Sequence, residues 1–202
     1  MTASAPTLSD DRLREFSAGF HGDLLRPDDD GYESARKVWN GMIDRRPACI
    51  ARCKTTSDVQ RAVRFAREND LPIAIRGGGH NAAGLGVCDG GLVIDLGGMR
   101  DIVVDQSRQT ARAGGGATWG DFDQATAAHG LATTGGAVST TGIAGLTLGG
   151  GIGWLMRNYG LACDNLIAAE VVTADGELLR ASATENADLF WGLRGGDRKS
   201  VV

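Results

Sequence analysis

Apolar positions recur along this chain in short stretches, some at helical spacing and some in unbroken runs. Among the charges of residues 8–20 stand Leu8, Leu13, Phe16 and Phe20, a pattern that predicts a short amphipathic helix. A loop follows at Asp28-Asp29-Asp30-Gly31, and residues 48–53 read as a strand. Ser57-Asp58-Val59-Gln60 has the capping-box form, a serine followed three residues later by a glutamine. The helix after it places Val59, Ala62, Val63 and Ala66 on one face, and Asn69-Asp70-Leu71-Pro72 ends it. The apolar run Leu71-Pro72-Ile73-Ala74-Ile75 then predicts a buried strand, completing a β-α-β unit.

Residues 91–96 predict another apolar strand, and residues 102–104 and 110–113 flank a turn at Asp105-Gln106-Ser107. Thr118 is placed to cap a helix that runs from Trp119 to about Ala128, where His129-Gly130 stops it. Near the end, residues 166–173 and 177–181 flank Asp175-Gly176, a hairpin signal. Crossover units and hairpins together predict an α+β fold rather than a uniform parallel sheet.

Composition narrows the function. The 202 residues suit one large domain or two small subdomains, and an apolar fraction of 42% is enough for a core. Net charge is −4, with 21 basic and 25 acidic residues interspersed, so a nucleic-acid partner has no electrostatic basis. Cys49, Cys53, Cys88 and Cys163 form no CxxC pair and have no histidine at metal spacing, so isolated thiols and no metal are expected. The start has neither a basic n-region nor an apolar h-region, and no run approaches the roughly 18 apolar residues of a membrane span. The expectation is a cytoplasmic protein with no membrane partner.

The 31 glycines change the picture most, because they are clustered. Arg76-Gly77-Gly78-Gly79-His80-Asn81 follows the predicted strand, and successive glycine N–H groups make a nest suited to phosphate. A histidine at its end puts a nucleophilic imidazole beside whatever the loop holds. A second cluster runs from Gly135 through Gly136, Val138, Thr140, Thr141, Gly142 and Gly145 to Gly149-Gly150-Gly151-Ile152-Gly153. The first does not fit a dinucleotide G-x-G-x-x-G, since His80-Asn81-Ala82 stands where a third glycine should open a helix. No Gly-Lys-Ser/Thr of a P-loop occurs. Two backbone-lined loops fit a long flat ligand, although tight turns and close packing also use glycine.

The runs Pro72-Ile73-Ala74-Ile75-Arg76-Gly77-Gly78-Gly79-His80-Asn81 and Gly142-Ile143-Ala144-Gly145-Leu146-Thr147-Leu148-Gly149-Gly150-Gly151-Ile152-Gly153-Trp154 resemble the FAD-binding domain of the PCMH (vanillyl-alcohol oxidase) superfamily. Within it, the berberine bridge enzyme-like branch of flavin oxidoreductases is most similar. Tyr159-Gly160-Leu161-Ala162-Cys163-Asp164-Asn165-Leu166, Glu170-Val171-Val172-Thr173-Ala174-Asp175-Gly176 and Asp188-Leu189-Phe190-Trp191-Gly192-Leu193-Arg194-Gly195-Gly196 extend the resemblance over residues 42–196.

That resemblance implies two α/β subdomains with FAD between them over residues 42–202, after a helical leader at residues 1–41. It implies FAD joined covalently through His80 to the 8α carbon of the flavin. The backbone of Arg76, Gly77, Gly78, Gly79, His80 and Asn81 would hold the pyrophosphate. Gly136, Val138, Thr140, Thr141, Gly142 and Gly145 would line the cofactor, continued by Gly150 and Gly153. Val172 would present main-chain atoms to the adenine end, or serve as hairpin core. His21 and His129 match no motif. Some members add a second link through a cysteine four residues before the position of Gly142. Val138 stands there, so a second link is not expected, and Cys163 reads as a packing residue.

The family continues past Leu193-Arg194-Gly195-Gly196 with further glycines, whereas this chain reads Asp197-Arg198-Lys199-Ser200-Val201-Val202. The expectation is a different reading of this region or a truncation, with the substrate domain and the catalytic base that the resemblance implies missing from this sequence. The implied activity is transfer of hydride from an alcohol, sugar or similar small molecule to flavin N5, with dioxygen as acceptor. A flavin-binding module without turnover and a noncovalent reductase using a nicotinamide donor stand as alternatives.

Overall fold

The computed structural model describes residues 8–196, and the divergent tail from Asp197 lies outside them. The chain divides into two units, Met1–Met99 with Val172–Glu177, and Arg100–Val171 with Leu178–Val202.

The first unit opens with α1 (Asp10–Ser17), β1 (Asp23–Leu25) and α2 (Tyr32–Ala35), followed by β2 (Cys49–Arg52), α3 (Thr56–Glu68), β3 (Ile73–Arg76) and β4 (Leu92–Asp95). The sheet order is β1-β2-β4-β3, with β1 antiparallel to β2 and both β2 and β3 parallel to β4. The crossover from β2 through α3 to β3 therefore skips a position, and β4 fills it. Strand side chains alternate between faces, so the sheet feeds two cores. Cys49, Ala51, Leu92 and Ile94 pack with Leu13, Phe16, Ala62, Val63, Phe65 and Ala66 on one side. Ile50, Val93 and Ala74 pack with Tyr32 and Val87 on the other. Residues before Met42, set apart in sequence as a leader, thus supply an edge strand and part of both cores.

The sequence places the α3 cap at Ser57 with Gln60, but Thr55 and Asp58 form it. The Thr55 hydroxyl accepts from the Asp58 N–H, and the Asp58 carboxylate accepts from the Thr55 N–H at 2.9 Å. The Asp58 carboxylate also accepts from the N–H groups of His21 and Lys54, which hold it in place at the start of the helix.

The second unit holds the antiparallel pair β5 (Ile102–Asp105) and β6 (Thr110–Ala113), then α4 (Trp119–Ala127), α5 (Ile143–Leu148) and α6 (Met156–Tyr159). A 3₁₀ turn, Ala162–Asn165, leads to the two-stranded sheet of β7 (Ala168–Val172) and β8 (Leu178–Ser182), and α7 (Ala187–Leu193) follows. Thr118 caps α4 as expected, in a capping box with Asp121. Crossover sheet, hairpins and helices make the fold α+β. Among the described residues, no helix is long and apolar enough to cross a membrane.

Candidate functional site

β3 is an edge strand, and its last residue, Arg76, is buried. The Arg76 guanidinium donates to Asp95 Oδ2 on β4 at 2.8 Å and to the carbonyls of Ala35 and Lys37. Its own carbonyl accepts from the Leu96 N–H at 2.8 Å. The side chain and carbonyl are therefore engaged in fixing the base of the loop. From there the chain bends through Gly77 and Gly78, both half-buried, to Gly79.

Gly79 has φ +70°, a left-handed conformation that a side chain would strain. Its carbonyl accepts from the Trp39 N–H at 3.0 Å. His80 is half-buried, and the Trp39 indole stacks on its imidazole with centroids 5.5 Å apart and planes 20° apart. Asn81, at the exposed far end, closes a turn. Its side-chain oxygen accepts from the Leu85 N–H at 3.1 Å and its carbonyl accepts from the Gly84 N–H at 3.0 Å. Asn40 donates from Nδ2 to the Ala82 carbonyl at 2.9 Å. The residues on either side of Trp39 are thus fastened to the loop at its base, middle and far end. Sequence reasoning missed Trp39 and Asn40; their nearness to His80 follows from strand order, which no local spacing reports.

In the second unit, the other glycine segment is zipped to the start of α4. Trp119 N–H donates to the Thr141 carbonyl at 2.9 Å, Gly120 N–H to Ser139 at 2.8 Å, and Ile143 N–H to Ala117 at 2.9 Å. Val138 and Thr140 lie on the exposed turn so formed, Thr141 is half-buried and Gly142 is buried. At Gly145 a Cβ would meet nothing within 4 Å. Other glycines face inward: a Cβ on Gly136 would come within 2.8 Å of Leu146 and one on Gly153 within 1.7 Å of the Gly135 carbonyl. Close packing is a sufficient reason for glycine there. Gly150 sits at φ +104°, another left-handed position. Val172 belongs with the first unit, its side chain against that unit's core.

Do these segments, each within its own unit, carry groups that suit a phosphorylated cofactor with a flat ring? The loop supplies main chain, a left-handed glycine and an imidazole. In the second unit Val138, Ile152, Trp154 and Tyr159 are exposed, apolar area of the kind that an aromatic ring covers. Beneath Gly136, the indole N–H of Trp119 is buried and has no hydrogen-bond partner, and the Thr134 hydroxyl is likewise unpartnered. The residues fit such a group.

The thiols offer no competing chemistry. Cys49, Cys53 and Cys88 are free thiols, and burial pushes Cys49 and Cys53 up to about 12, where they stay protonated. A shallow groove lined by Leu13, Arg14, Leu24 and Arg26 contains none of the candidate residues. Among the described residues, no group of three or more His, Cys, Asp and Glu side chains could hold a metal.

Residues 47–182 match the family model described as an FAD binding domain. The chain is 42% identical over 174 residues to (R)-6-hydroxynicotine oxidase of Paenarthrobacter nicotinovorans, covering 86% of this chain and 38% of that protein. The solved structure of Physcomitrella patens BBE-like 1 superposes with a TM-score of 0.85 at 33% identity, over 91% of this chain and 40% of its own. Glucooligosaccharide oxidase from Acremonium strictum, whose FAD is described as 6-S-cysteinyl and 8α-N1-histidyl, superposes with a TM-score of 0.84 at 34% identity. That match covers 92% of this chain and 39% of the other. The chain therefore spans about two fifths of the length of these relatives.

Proposed function

The chain belongs to the FAD binding domain family, in the berberine bridge enzyme-like branch of the PCMH superfamily, and on that premise we propose that the protein is an oxidase-type FAD-dependent oxidoreductase. Its substrate is a small alcohol, sugar or similar molecule with an oxidisable C–H bond. When bound, FAD supplies the hydride acceptor at N5, and dioxygen carries the electron pair away as hydrogen peroxide. No residue of this chain is assigned as the base that takes the substrate proton.

The observation that carries this reading is the loop over residues 76–81: a main-chain cradle fixed at its base by Arg76, with His80 held at its end. Gly77, Gly78 and Gly79 let the backbone approach a pyrophosphate, and Asn81 closes the loop through Leu85. His80 holds the cofactor covalently at the 8α carbon, as a histidine does in the Acremonium enzyme. The segment of Gly136, Val138, Thr140, Thr141, Gly142 and Gly145, with Gly150 and Gly153, is assigned to cofactor contact, and Val172 to the adenine end. The free thiols of Cys49, Cys53 and Cys88 suit a reducing compartment such as the cytoplasm.

Anaerobic titration of the yellow protein with sugars, primary alcohols and N-heterocyclic amines tests the activity. The reading predicts that one class bleaches the flavin absorbance and that admitting air restores it with release of peroxide. A bound flavin that no donor bleaches contradicts turnover.

A further inference from the structure

Trp39 stands outside every motif of the sequence, and 66% of its surface is exposed. An exposed tryptophan so firmly anchored calls for a reason. Its main chain donates to the Gly79 carbonyl at 3.0 Å, while its indole lies face to face with the imidazole of the next residue, His80. On one side, Arg76 holds the carbonyls of Ala35 and Lys37; on the other, Asn40 holds Ala82. The main chain that carries the indole is thus fastened to the loop, and the indole is stacked on the imidazole. A histidine side chain can adopt several staggered rotamers. A flat ring stacked on one face removes those that swing the imidazole toward that side.

We propose that Trp39 is the positioning residue of His80, holding the imidazole plane so that a ring nitrogen is presented to the cofactor's 8α carbon. This rests on the reading of His80 as the attachment point. Attachment joins the imidazole nitrogen to that carbon and removes one hydrogen from each. The two protons and two electrons released reduce one dioxygen to hydrogen peroxide. Trp39 changes none of this chemistry; it raises the fraction of time that the nitrogen lies on the line of approach.

The test follows covalent incorporation with time after FAD is added to the apoprotein, read as flavin fluorescence on denaturing gels. FAD affinity is measured separately in a His80→Ala background, where attachment is blocked. Trp39→Leu is expected to slow incorporation by about tenfold or more, the scale on which misplacement of a reacting group acts. In the His80→Ala background the same change should shift FAD affinity by less than about threefold, since indole and cofactor are not required to touch. Trp39→Phe, which keeps a flat face, should recover most of the rate. In the apoprotein, the His80 Cε1–H proton resonance should lie upfield in wild type and Trp39→Phe but move downfield in Trp39→Leu. A Trp39→Leu protein that incorporates FAD at the wild-type rate overturns the proposal. So does one that loses rate and affinity together with no rescue by phenylalanine, the mark of mere loop support. Gel fluorescence that survives in His80→Ala alone overturns the attachment reading, and the role of Trp39 with it.

Discussion

At Arg76 one guanidinium meets a carboxylate on the neighbouring strand, both charged groups buried, and two carbonyls of an earlier segment. Such a pair need not add net stability, because both ions are desolvated, but removing one partner leaves the other charge buried alone. Asp95→Asn isolates that effect, since an amide oxygen can still accept from the Gly97 N–H as Asp95 Oδ1 does at 3.0 Å. The expected loss is about 3–5 kcal/mol of stability, read from urea unfolding. A loss under about 1 kcal/mol, the size of an exposed pair, would show the guanidinium to be solvated. The sequence places Arg76 among the cofactor contacts because it adjoins the glycines. Its burial and its three partners, which come from distant parts of the chain, are not legible there. Gly79 and His80 are legible, since a left-handed turn and an imidazole beside it are local properties.

The two capping boxes show the same division at the level of elements. The cap at Thr118 was readable from the sequence, although its partner Asp121 was not, whereas at α3 two overlapping patterns compete and only the backbone donors gathered around Asp58 decide between them. The strands β2 to β8 were likewise readable from apolar runs and turn signals, whereas the three-residue edge strand β1 was missed. The insertion of β4 between β2 and β3 was not readable, because pairing partners carry no local mark. The α4 cap also makes a pH prediction. Hydrogen bonds from the Thr118 N–H, then Arg100 and the Thr118 hydroxyl, lower Asp121 to about 2. A depressed folded-state pKa contributes stability that is present above the ordinary carboxylate value and lost as pH falls toward 2. Unfolding of wild type monitored between pH 5 and 2 should therefore steepen against Asp121→Asn, which lacks that titration. Parallel curves across this window would contradict the assigned network.

For the whole molecule, the match of residues 47–182 to an FAD binding domain and the α+β architecture agree with what the glycine clusters suggested. What the sequence could not separate is glycine kept for a ligand from glycine kept for packing. Gly79 and Gly145 leave room or take a left-handed turn, whereas Gly136 and Gly153 are pressed against neighbours. The central claim is narrower than the fold: His80, at the end of its cradle, carries the flavin. Proteolysis of the denatured yellow protein followed by peptide mass mapping tests it most directly. The account predicts a flavin adduct confined to the peptide containing His80. An adduct on another peptide, or flavin released free on denaturation, would contradict it.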